Sequence, residues 1–415
     1  MSGKNSTAPS IPSDLKQENR RRVLAFFIDN QEHTASEIAA ETGISKLTVM
    51  KAIQFFCEKG ILSSAGKGSS TERGGKRPAC YRFSYDQYTL HISMWPDSLS
   101  LTLSWLNSSP LRQVTHRWLI PPTPQEAFAV IRQHVDALLA EAGVSPGELY
   151  GVSLSTAGIV DYKRLVLRYS SQSPSWGADI PMGDYLREIF GDGLYYFVEN
   201  TGKCIGRAVY ARQKVSVKRT LVLFTSWGIS AAFLQNGRIL NGRDSIIGEI
   251  GHMTLDPYDT EQCSCGSFGC AEHMLSVPRL IRDVTADPPP ASSPLYNIPP
   301  ALISLEKLFT ASRQGDEYAR GKVRILAKRF AALLRNTALA FDPELVVFVG
   351  DYAAADPYFD TCLQEQFSLF HYFMSGSPFR VAYDQSPLLE LDASGGDIAM
   401  AEHFISSPAL YEEGV

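Results

Sequence analysis

The sequence predicts an N-terminal winged helix-turn-helix domain followed by a larger α/β body of two lobes. Three helical segments with capping signals fall within the first 60 residues, and a Gly-rich basic segment follows them. Two β-rich segments, each continued by helices and further strands, fill the rest of the chain. At 415 residues the chain is long enough for several domains. We therefore predict a disordered tail over 1–13, a DNA-binding domain over 14–84 and the body over 85–415.

Composition and charge indicate a globular protein with a basic head and an acidic body. Apolar residues make up 44% of the chain and charged residues 20%. The net charge is −5, yet residues 1–82 carry 13 Lys and Arg against 8 Asp and Glu, and the remainder carries 26 against 36. No apolar run is long enough for a membrane span, and the N-terminus shows no signal core. We expect a cytoplasmic protein without membrane contacts, in which thiols stay reduced.

Capping residues define the helices of the head. A first helix is predicted from Asp14. Thr34 caps a second helix over 35–42, and Ser45 caps a third that stops at Gly60. In a helix-turn-helix the second helix of the pair enters the major groove of DNA. The third helix should turn its apolar residues to the core, namely Ile44, Leu47, Val49, Ile53 and Phe56. The residues predicted to meet bases and phosphates are Ser45, Lys46, Thr48, Lys51 and Ala52.

The segment after the third helix predicts two strands around a long basic tip, which completes a winged domain. Residues 73–78 of the tip are R-G-G-K-R-P. Arms of this composition place arginine in narrow A·T minor grooves. We predict DNA contacts from Arg73, Lys76 and Arg77. The alternative is that these residues form a solvated face on a flexible linker.

Segment 248–276 gathers one histidine and three cysteines within nineteen positions. These residues are His252, Cys263, Cys265 and Cys270. One imidazole and three thiolates satisfy a closed, structural Zn²⁺ site. Gly266 and Gly269 permit the tight turn between the last two cysteines. Free buried cysteines with a surface histidine are the alternative, and a disulfide framework is disfavoured because the other cysteines are scattered singly.

The body is predicted to begin with three antiparallel strands, because alternating β-rich runs are separated by turn residues. Their spans are 88–95, 98–105 and 111–120. Helices are predicted over 124–142, 182–189, 202–212, 302–313 and 318–340. Further strands are predicted over 149–155, 194–200, 220–225, 231–235, 237–240 and 344–350. This order suggests two α/β lobes with a cleft between them.

The motifs in this order resemble the ROK family, which groups repressors and sugar kinases. Its signature E-x-G-H followed by C-x-C-G-x-x-G-C-x-E is present within 248–276, and the G-x-R-P-like wing of its repressor branch is present at 75–78. The resemblance covers the chain from about residue 14. It implies a body of the actin/hexokinase-like type that closes on a sugar.

The same resemblance assigns sugar-binding roles to four positions of the body. They are Asn200, Glu249, His252 and Glu272. Carboxylates accept hydrogen bonds from adjacent hydroxyls, and one nitrogen of His252 can ligate metal while the other meets a hydroxyl. The alternative for both glutamates is a structural role, either as helix caps or as contacts that orient the metal ligands. Lys203 has two interpretations, as a partner for a sugar phosphate or as a solvated helix residue.

Four segments depart from the pattern of the family's kinases. Thr201 stands at the position of the catalytic Asp, and threonine is too weak a base for that role. The first phosphate loop is replaced by H-I-S-M-W-P-D-S at 91–98. The second becomes S-W-G-I-S at 226–230, and Asp351 follows Gly350 at the adenosine side. We expect a body without kinase activity.

These observations predict a DNA-binding transcriptional regulator of carbohydrate metabolism, with repression as the expected sign. Its expected partners are an operator in double-stranded DNA and a sugar or sugar-phosphate effector, and its expected state is a homodimer or homotetramer. Two alternatives stay open. One is an ATP-dependent sugar kinase with an added DNA-binding head, and the other is a regulator that answers to a protein partner instead of a sugar.

Overall fold

The structure is a computed structural model that describes residues 12–29, 31–67, 78–106, 109–213, 217–372 and 379–412. Its helices are α1 (Pro12–Ala25), α2 (Ala35–Thr42), α3 (Lys46–Glu58), α4 (Pro124–Ala142), α5 (Met182–Phe190), α6 (Thr201–Ala211), α7 (Ala271–Leu275), α8 (Val277–Ala286), α9 (Leu305–Arg313), α10 (Glu317–Phe341), α11 (Pro357–Ser368), α12 (Leu388–Ser406) and α13 (Ala409–Glu412). Its strands before residue 200 are β1 (His33–Thr34), β2 (Leu62–Lys67), β3 (Ala79–Phe83), β4 (Tyr88–Trp95), β5 (Ser98–Trp105), β6 (Pro110–Arg117), β7 (Leu149–Thr156), β8 (Ile159–Asp161), β9 (Val166–Tyr169), β10 (Ala178–Ile180) and β11 (Tyr195–Asn200). The later strands are β12 (Arg219–Thr225), β13 (Ile229–Gln235), β14 (Arg238–Ile239), β15 (Leu345–Gly350) and β16 (Arg380–Asp384).

The head consists of α1 to α3 and a small sheet in the order β1-β3-β2. Thr34 forms a capping box with Glu37: the Thr34 backbone N–H donates to the Glu37 carboxylate at 2.7 Å, and the Glu37 N–H donates to the Thr34 hydroxyl at 3.2 Å. Gly43 ends α2 with a φ of 69°, a conformation that favours glycine. The predicted bounds of α2 are therefore confirmed, and so is the winged helix-turn-helix. The head's first helix begins at Pro12, two residues before the prediction.

The prediction for α3 was wrong at two positions. Val49 and Phe56 are fully buried, as expected, but the side chain of Leu47 is 65% exposed. Ala52, which was assigned to DNA contacts, is only 4% exposed and belongs to the core. The error arises because Leu47 lies two positions from Val49, which places it on the opposite side of a helix with 3.6 residues per turn.

The two lobes repeat one arrangement of strands. The first sheet has the order β11-β7-β4-β5-β6 and the second has the order β14-β13-β12-β15-β16. In each sheet an antiparallel trio is extended by two strands that pair in parallel. The predicted two-lobed α/β body is therefore confirmed, with each α/β continuation joined to its own antiparallel trio.

Separate apolar cores hold each lobe. In the first lobe, Leu90 lies opposite Leu103 and Ile92 opposite Leu101, and α4 covers that face of the sheet. In the second lobe, α9, α10 and α11 cover the face that carries Phe348. Thr123 caps α4 and Gly143 ends it, at the predicted bounds. Each lobe thus has its own sheet and its own apolar core.

Helix α12 was not predicted. It crosses from the first lobe toward the head and is buried along most of its length. A helix that is buried on all sides has no amphipathic stripe, so the apolar periodicity that marks most helices is missing. Pro387 precedes the helix and Pro408 follows it, and these two prolines are the sequence features that indicate its ends. Within the described ranges, none of the helices is both long enough and apolar enough to cross a membrane.

Candidate functional site

The histidine and three cysteines of segment 248–276 meet at one point. Their donor atoms all lie within 4.8 Å of one another. Cys263 Sγ is 3.7 Å from His252 Nδ1, and the Sγ atoms of Cys265 and Cys270 are 3.7 Å apart. Donors bound to a tetrahedral Zn²⁺ at about 2.0 to 2.3 Å lie roughly 3.7 Å from each other. Two of the donor separations match that spacing, and the four residues together could hold a metal ion.

Local backbone geometry brings the four ligands together. His252 ends a short 3₁₀ turn, and Cys270 stands directly before α7. Gly269 has a φ of 64°, and a Cβ there would lie 1.7 Å from the backbone oxygen of Asp256. Only glycine fits at this close approach, which confirms the tight turn that the sequence predicted. Burial raises the pKa of the Cys270 thiol to about 12, a cost that a bound cation would offset.

The four residues assigned to sugar binding line one small cavity between the lobes. Asn200, Glu249, His252 and Glu272 all border it, and the cavity holds about 60 Å³. Thr201 borders the same space at the first turn of α6. The metal cluster and this cavity share His252, whose Nδ1 lies on the cluster side. Segment 248–276 thus connects the metal ligands to the cleft.

Two of these four side chains already make hydrogen bonds to backbone groups of the protein. The Asn200 amide donates to the Gly158 carbonyl at 2.8 Å, and its oxygen caps α6 through the Lys203 N–H at 3.2 Å. One oxygen of Glu272 accepts the backbone N–H of Ile229 at 2.9 Å. The Glu272 bond is a structural contact with the first residue of β13, which the sequence did not predict. Each group still keeps acceptor or donor capacity for a hydroxyl.

One of the two interpretations of Lys203 was wrong, namely that it is a solvated helix residue. Its side chain is 3% exposed, so it is not a solvated helix residue. Its Nζ donates to Asn241 Oδ1 at 2.7 Å and to the Ser245 carbonyl at 3.1 Å, so the ammonium is used inside the protein. Burial lowers the pKa of Lys203, and the carboxylates of Glu199 and Glu249 oppose that shift. Burial also raises the pKa of Glu249, and neighbouring His252 and Lys203 counteract it.

A larger cleft of about 610 Å³ opens beside the small cavity. Ser226, Trp227 and Gly228 line it, which places the S-W-G-I-S segment where it faces the cleft. A Cβ at Gly228 would lie 2.5 Å from the Glu272 carboxylate. Asp351 also lines the cleft, and burial raises the pKa of its carboxyl group. The lining residues of the described chain contribute acids but no Lys or Arg, which is unfavourable for a polyphosphate.

The second candidate site is the outward face of α3. Lys46 and Lys51 are exposed on it. Ser45 caps the helix: its hydroxyl accepts the Thr48 N–H at 3.2 Å and lies 2.8 Å from the Thr48 hydroxyl. Ser45 and Thr48 are thus both at the helix start, where a phosphate oxygen meets free N–H groups. The three predicted wing contacts, Arg73, Lys76 and Arg77, lie outside the described residues.

Sequence reasoning missed the residues of α12 that join these two sites. Asp392 is fully buried and accepts hydrogen bonds from Trp95 Nε1 at 3.1 Å and from the Ser155 hydroxyl at 2.6 Å. Trp95 borders the small cavity. Farther along α12, Phe404 packs into the apolar core of the head, together with Tyr411. A buried Asp in an apolar helix is the signal that marks this position.

Comparisons with known proteins agree with this architecture. The model of the ROK family matches residues 106–383, and a winged helix-turn-helix DNA-binding model matches residues 16–63. The xylose repressor of Bacillus spizizenii is 23% identical over 271 residues, which cover 65% of this chain and 68% of that protein. The DNA-binding transcriptional dual regulator NagC of Escherichia coli K12 is 22% identical over 368 residues, 85% of this chain and 86% of that protein.

A solved structure shows the same arrangement over nearly the whole chain. It is a ROK family transcriptional regulator described as a homologue of the E. coli MLC protein. The TM-score is 0.73 at 18% identity, with 96% of this chain and 99% of that chain covered. The family match spans more than half of the residues, and a winged DNA-binding domain precedes it. The chain belongs to the ROK family.

Proposed function

We propose that this protein is a DNA-binding transcriptional repressor of carbohydrate metabolism whose ROK body senses a ligand and performs no phosphoryl transfer. The observation that carries the proposal is the capped helix α3, which presents Lys46 and Lys51 on the outward face of a winged helix-turn-helix. Such a helix enters the major groove, and lysines at its rim neutralise phosphates. The regulators NagC and the xylose repressor, with which this chain shares its family, support the same role.

The cleft supports sensing over catalysis. A kinase needs a base near the sugar hydroxyl, and Thr201 occupies that side of the small cavity. Trp95 and Pro96 border the cavity where glycine amides would hold a phosphate, and the Trp95 N–H is already bonded to Asp392. Asp351 adds a negative charge to the neighbouring cleft. These four residues together disfavour ATP and the transfer of its phosphate.

The proposed effector is a sugar or sugar phosphate in the cavity lined by Asn200, Glu249, His252 and Glu272. Closure of the lobes on it would move the rim residue Trp95 relative to α12, and α12 extends into the core of the head. A ligand shifts DNA affinity only if it binds one arrangement of the heads more tightly than the other. A homodimer with two heads on a pseudo-palindromic operator would show such a shift.

The proposed metal is one structural Zn²⁺ held by His252, Cys263, Cys265 and Cys270. All four positions of the tetrahedron would be filled by protein, so the ion would fix the 248–276 segment instead of binding substrate. Glu249 and Glu272 belong to this segment and line the cavity. The metal would therefore hold both carboxylates in place for a ligand.

The test is a gel shift of the full chain on the DNA upstream of its own gene, with and without a panel of hexoses, pentoses, hexosamines and their phosphates. We expect a sequence-specific shift that a sugar weakens. Absence of any specific shift over a range of salt concentrations would contradict the proposal. An ATP-coupled assay on the same sugars tests the kinase alternative, and turnover there would replace our assignment. If the protein shifts the DNA specifically but no sugar of the panel changes that shift, the result would instead favour a protein partner as the signal.

A further inference from the structure

The outward face of α3 carries two large apolar side chains that the head leaves in solvent. Leu47 is 65% exposed and Met50 is 51% exposed. We infer that these two side chains recognise thymine through its 5-methyl group in the major groove, an inference that rests on the proposed DNA-binding function. They would thereby make A·T base pairs the preferred ones at their positions in the operator.

Helical spacing places the two residues on the face that meets DNA. Met50 and Lys51 follow Leu47 by three and four positions, and Gln54 follows Met50 by four, so the residues form one stripe along α3. The opposite face is buried, with Val49, Ile53 and Phe56 between 0% and 2% exposed. The stripe begins at Leu47, the second residue of α3, and the N-terminal part of a recognition helix is the part that contacts base edges.

Thymine is the base whose major-groove edge carries a methyl group. Every other edge presents hydrogen-bond donors and acceptors, which an aliphatic side chain cannot satisfy. Leu47 and Met50 therefore lose water favourably against a thymine and unfavourably against cytosine or guanine. The unbranched thioether of Met50 can adjust to the position of the methyl group, because it has three rotatable bonds.

The charges around the two residues favour DNA over a protein surface as the occupant. Lys46 and Lys51 are exposed on either side of Leu47, and the N-terminus of the 13-residue helix α3 adds partial positive charge. The Gln54 amide donates to Glu58 Oε1 at 2.9 Å, which holds that polar group at the far end of the stripe. An apolar pair framed by lysines fits a groove with methyl groups at its floor and phosphates at its rim.

The experiment first selects a duplex from a randomised library with the full chain. Each thymine of the selected duplex is then replaced singly by deoxyuridine, which removes the methyl group and keeps every hydrogen-bonding atom. Binding is measured by fluorescence anisotropy. We expect replacement at one or more central thymines to weaken binding about fourfold, as for the loss of one buried methyl group.

The matched variants are Leu47→Ala, Met50→Ala and Lys46→Ala. Alanine is a strong helix former, and all three positions are exposed, so the melting temperature should stay within a few degrees. The deoxyuridine penalty should vanish at one thymine in Leu47→Ala and at another in Met50→Ala. Lys46→Ala should lower affinity for every duplex and keep both penalties, because a lysine contacts phosphates.

Three results overturn the inference. If deoxyuridine is tolerated at every position of a duplex that the protein binds specifically, methyl recognition is rejected and the proposed function stands. If the penalty persists unchanged in both alanine variants, the methyl contacts belong to other residues. If the library yields no enriched sequence, the proposed function fails and the inference fails with it.

Discussion

Trp95 Nε1 donates a hydrogen bond to Asp392 Oδ2 over 3.1 Å, and this bond joins the rim of the interlobe cavity to helix α12. The Ser155 hydroxyl donates to the same oxygen at 2.6 Å. Tyr411 lies in α13, which follows α12, and it packs edge-to-face on Phe56 of α3 with ring centroids 5.5 Å apart. The cavity and the DNA-binding helix are therefore connected through one buried helix and the short segment that follows it.

Replacement of Trp95 by phenylalanine keeps an aromatic ring and removes the N–H donor. Asp392 is fully buried, so the lost bond should lower the free energy of unfolding by about 1 to 2 kcal/mol. Trp118→Phe is the control, because the buried Trp118 Nε1 has no hydrogen-bond partner among the described residues. Urea denaturation of both variants measures the difference. Equal losses for the two variants would show that the Trp95 bond contributes nothing to stability.

The sequence predicted the features that depend on neighbouring residues, such as helix caps and tight turns. The caps Thr34 and Ser45 predicted the starts of their helices correctly, because a capping side chain binds backbone groups within its own turn. The convergence of His252 with the three cysteines was also predictable, because the four residues fall within one short segment and glycines permit the turn between them.

Long-range packing was not predictable in the same way. Lys203 meets Asn241 and the Ser245 carbonyl, which are about forty positions away, and nothing in the sequence beside Lys203 indicates those partners. Asp392 meets Trp95 across 297 positions, and its helix has no polar stripe to identify it. Leu47 was assigned to the core because it is apolar, whereas its helical position turns it to solvent.

Replacement of Tyr411 by alanine should loosen the head. The side chain is 2% exposed, and its hydroxyl donates to the Ile405 carbonyl at 2.9 Å. Removal of a buried aromatic ring typically costs about 3 kcal/mol or more. Hydrogen exchange should therefore accelerate in α3, whereas Tyr372→Ala, at an 81% exposed position, should leave exchange unchanged. Unaltered protection of α3 in Tyr411→Ala would mean that the C-terminal segment does not stabilise the head.

Asp397 should give the protein a measurable pH dependence. Burial raises the pKa of its carboxyl group to about 6, although the Thr89 hydroxyl donates to it at 2.8 Å and His91 lies nearby. Between pH 4 and 6 the folded protein holds a proton that the unfolded chain releases, so the free energy of unfolding falls as pH rises. The total effect is about 3 kcal/mol, and it levels off above that range.

The measurement compares wild type with Asp397→Asn, which cannot ionise. The difference in unfolding free energy between the two proteins should change in favour of the variant from pH 4 to 6, because other titrating groups cancel in the difference. Asp86→Asn, which replaces an exposed aspartate, serves as the control. A difference between wild type and Asp397→Asn that stays constant over this range would contradict a raised pKa for Asp397.

Replacement of Cys265 by serine should remove the proposed zinc. A hydroxyl is a far weaker ligand than a thiolate, so metal content should fall from about one ion per chain to near zero. Loss of the ion should also broaden and lower the thermal transition, because metal binding contributes to folding. Cys57→Ser, which changes a cysteine outside the cluster, should keep its metal. Elemental analysis after purification without chelator makes the comparison, and a metal-free wild type would contradict the site.

Specific binding to DNA is the property on which the proposed repressor function depends most. The most direct measurement is the affinity of the full chain for a duplex selected from a random library, relative to a scrambled duplex, at several salt concentrations. We expect a preference of about a thousandfold or more for the selected duplex. The slope of log affinity against log salt concentration should become shallower by about one in Lys51→Ala. It should be unchanged in Lys328→Ala, which alters an exposed lysine of the body. Equal affinity for the selected and scrambled duplexes would contradict the assignment of this protein as a DNA-binding regulator.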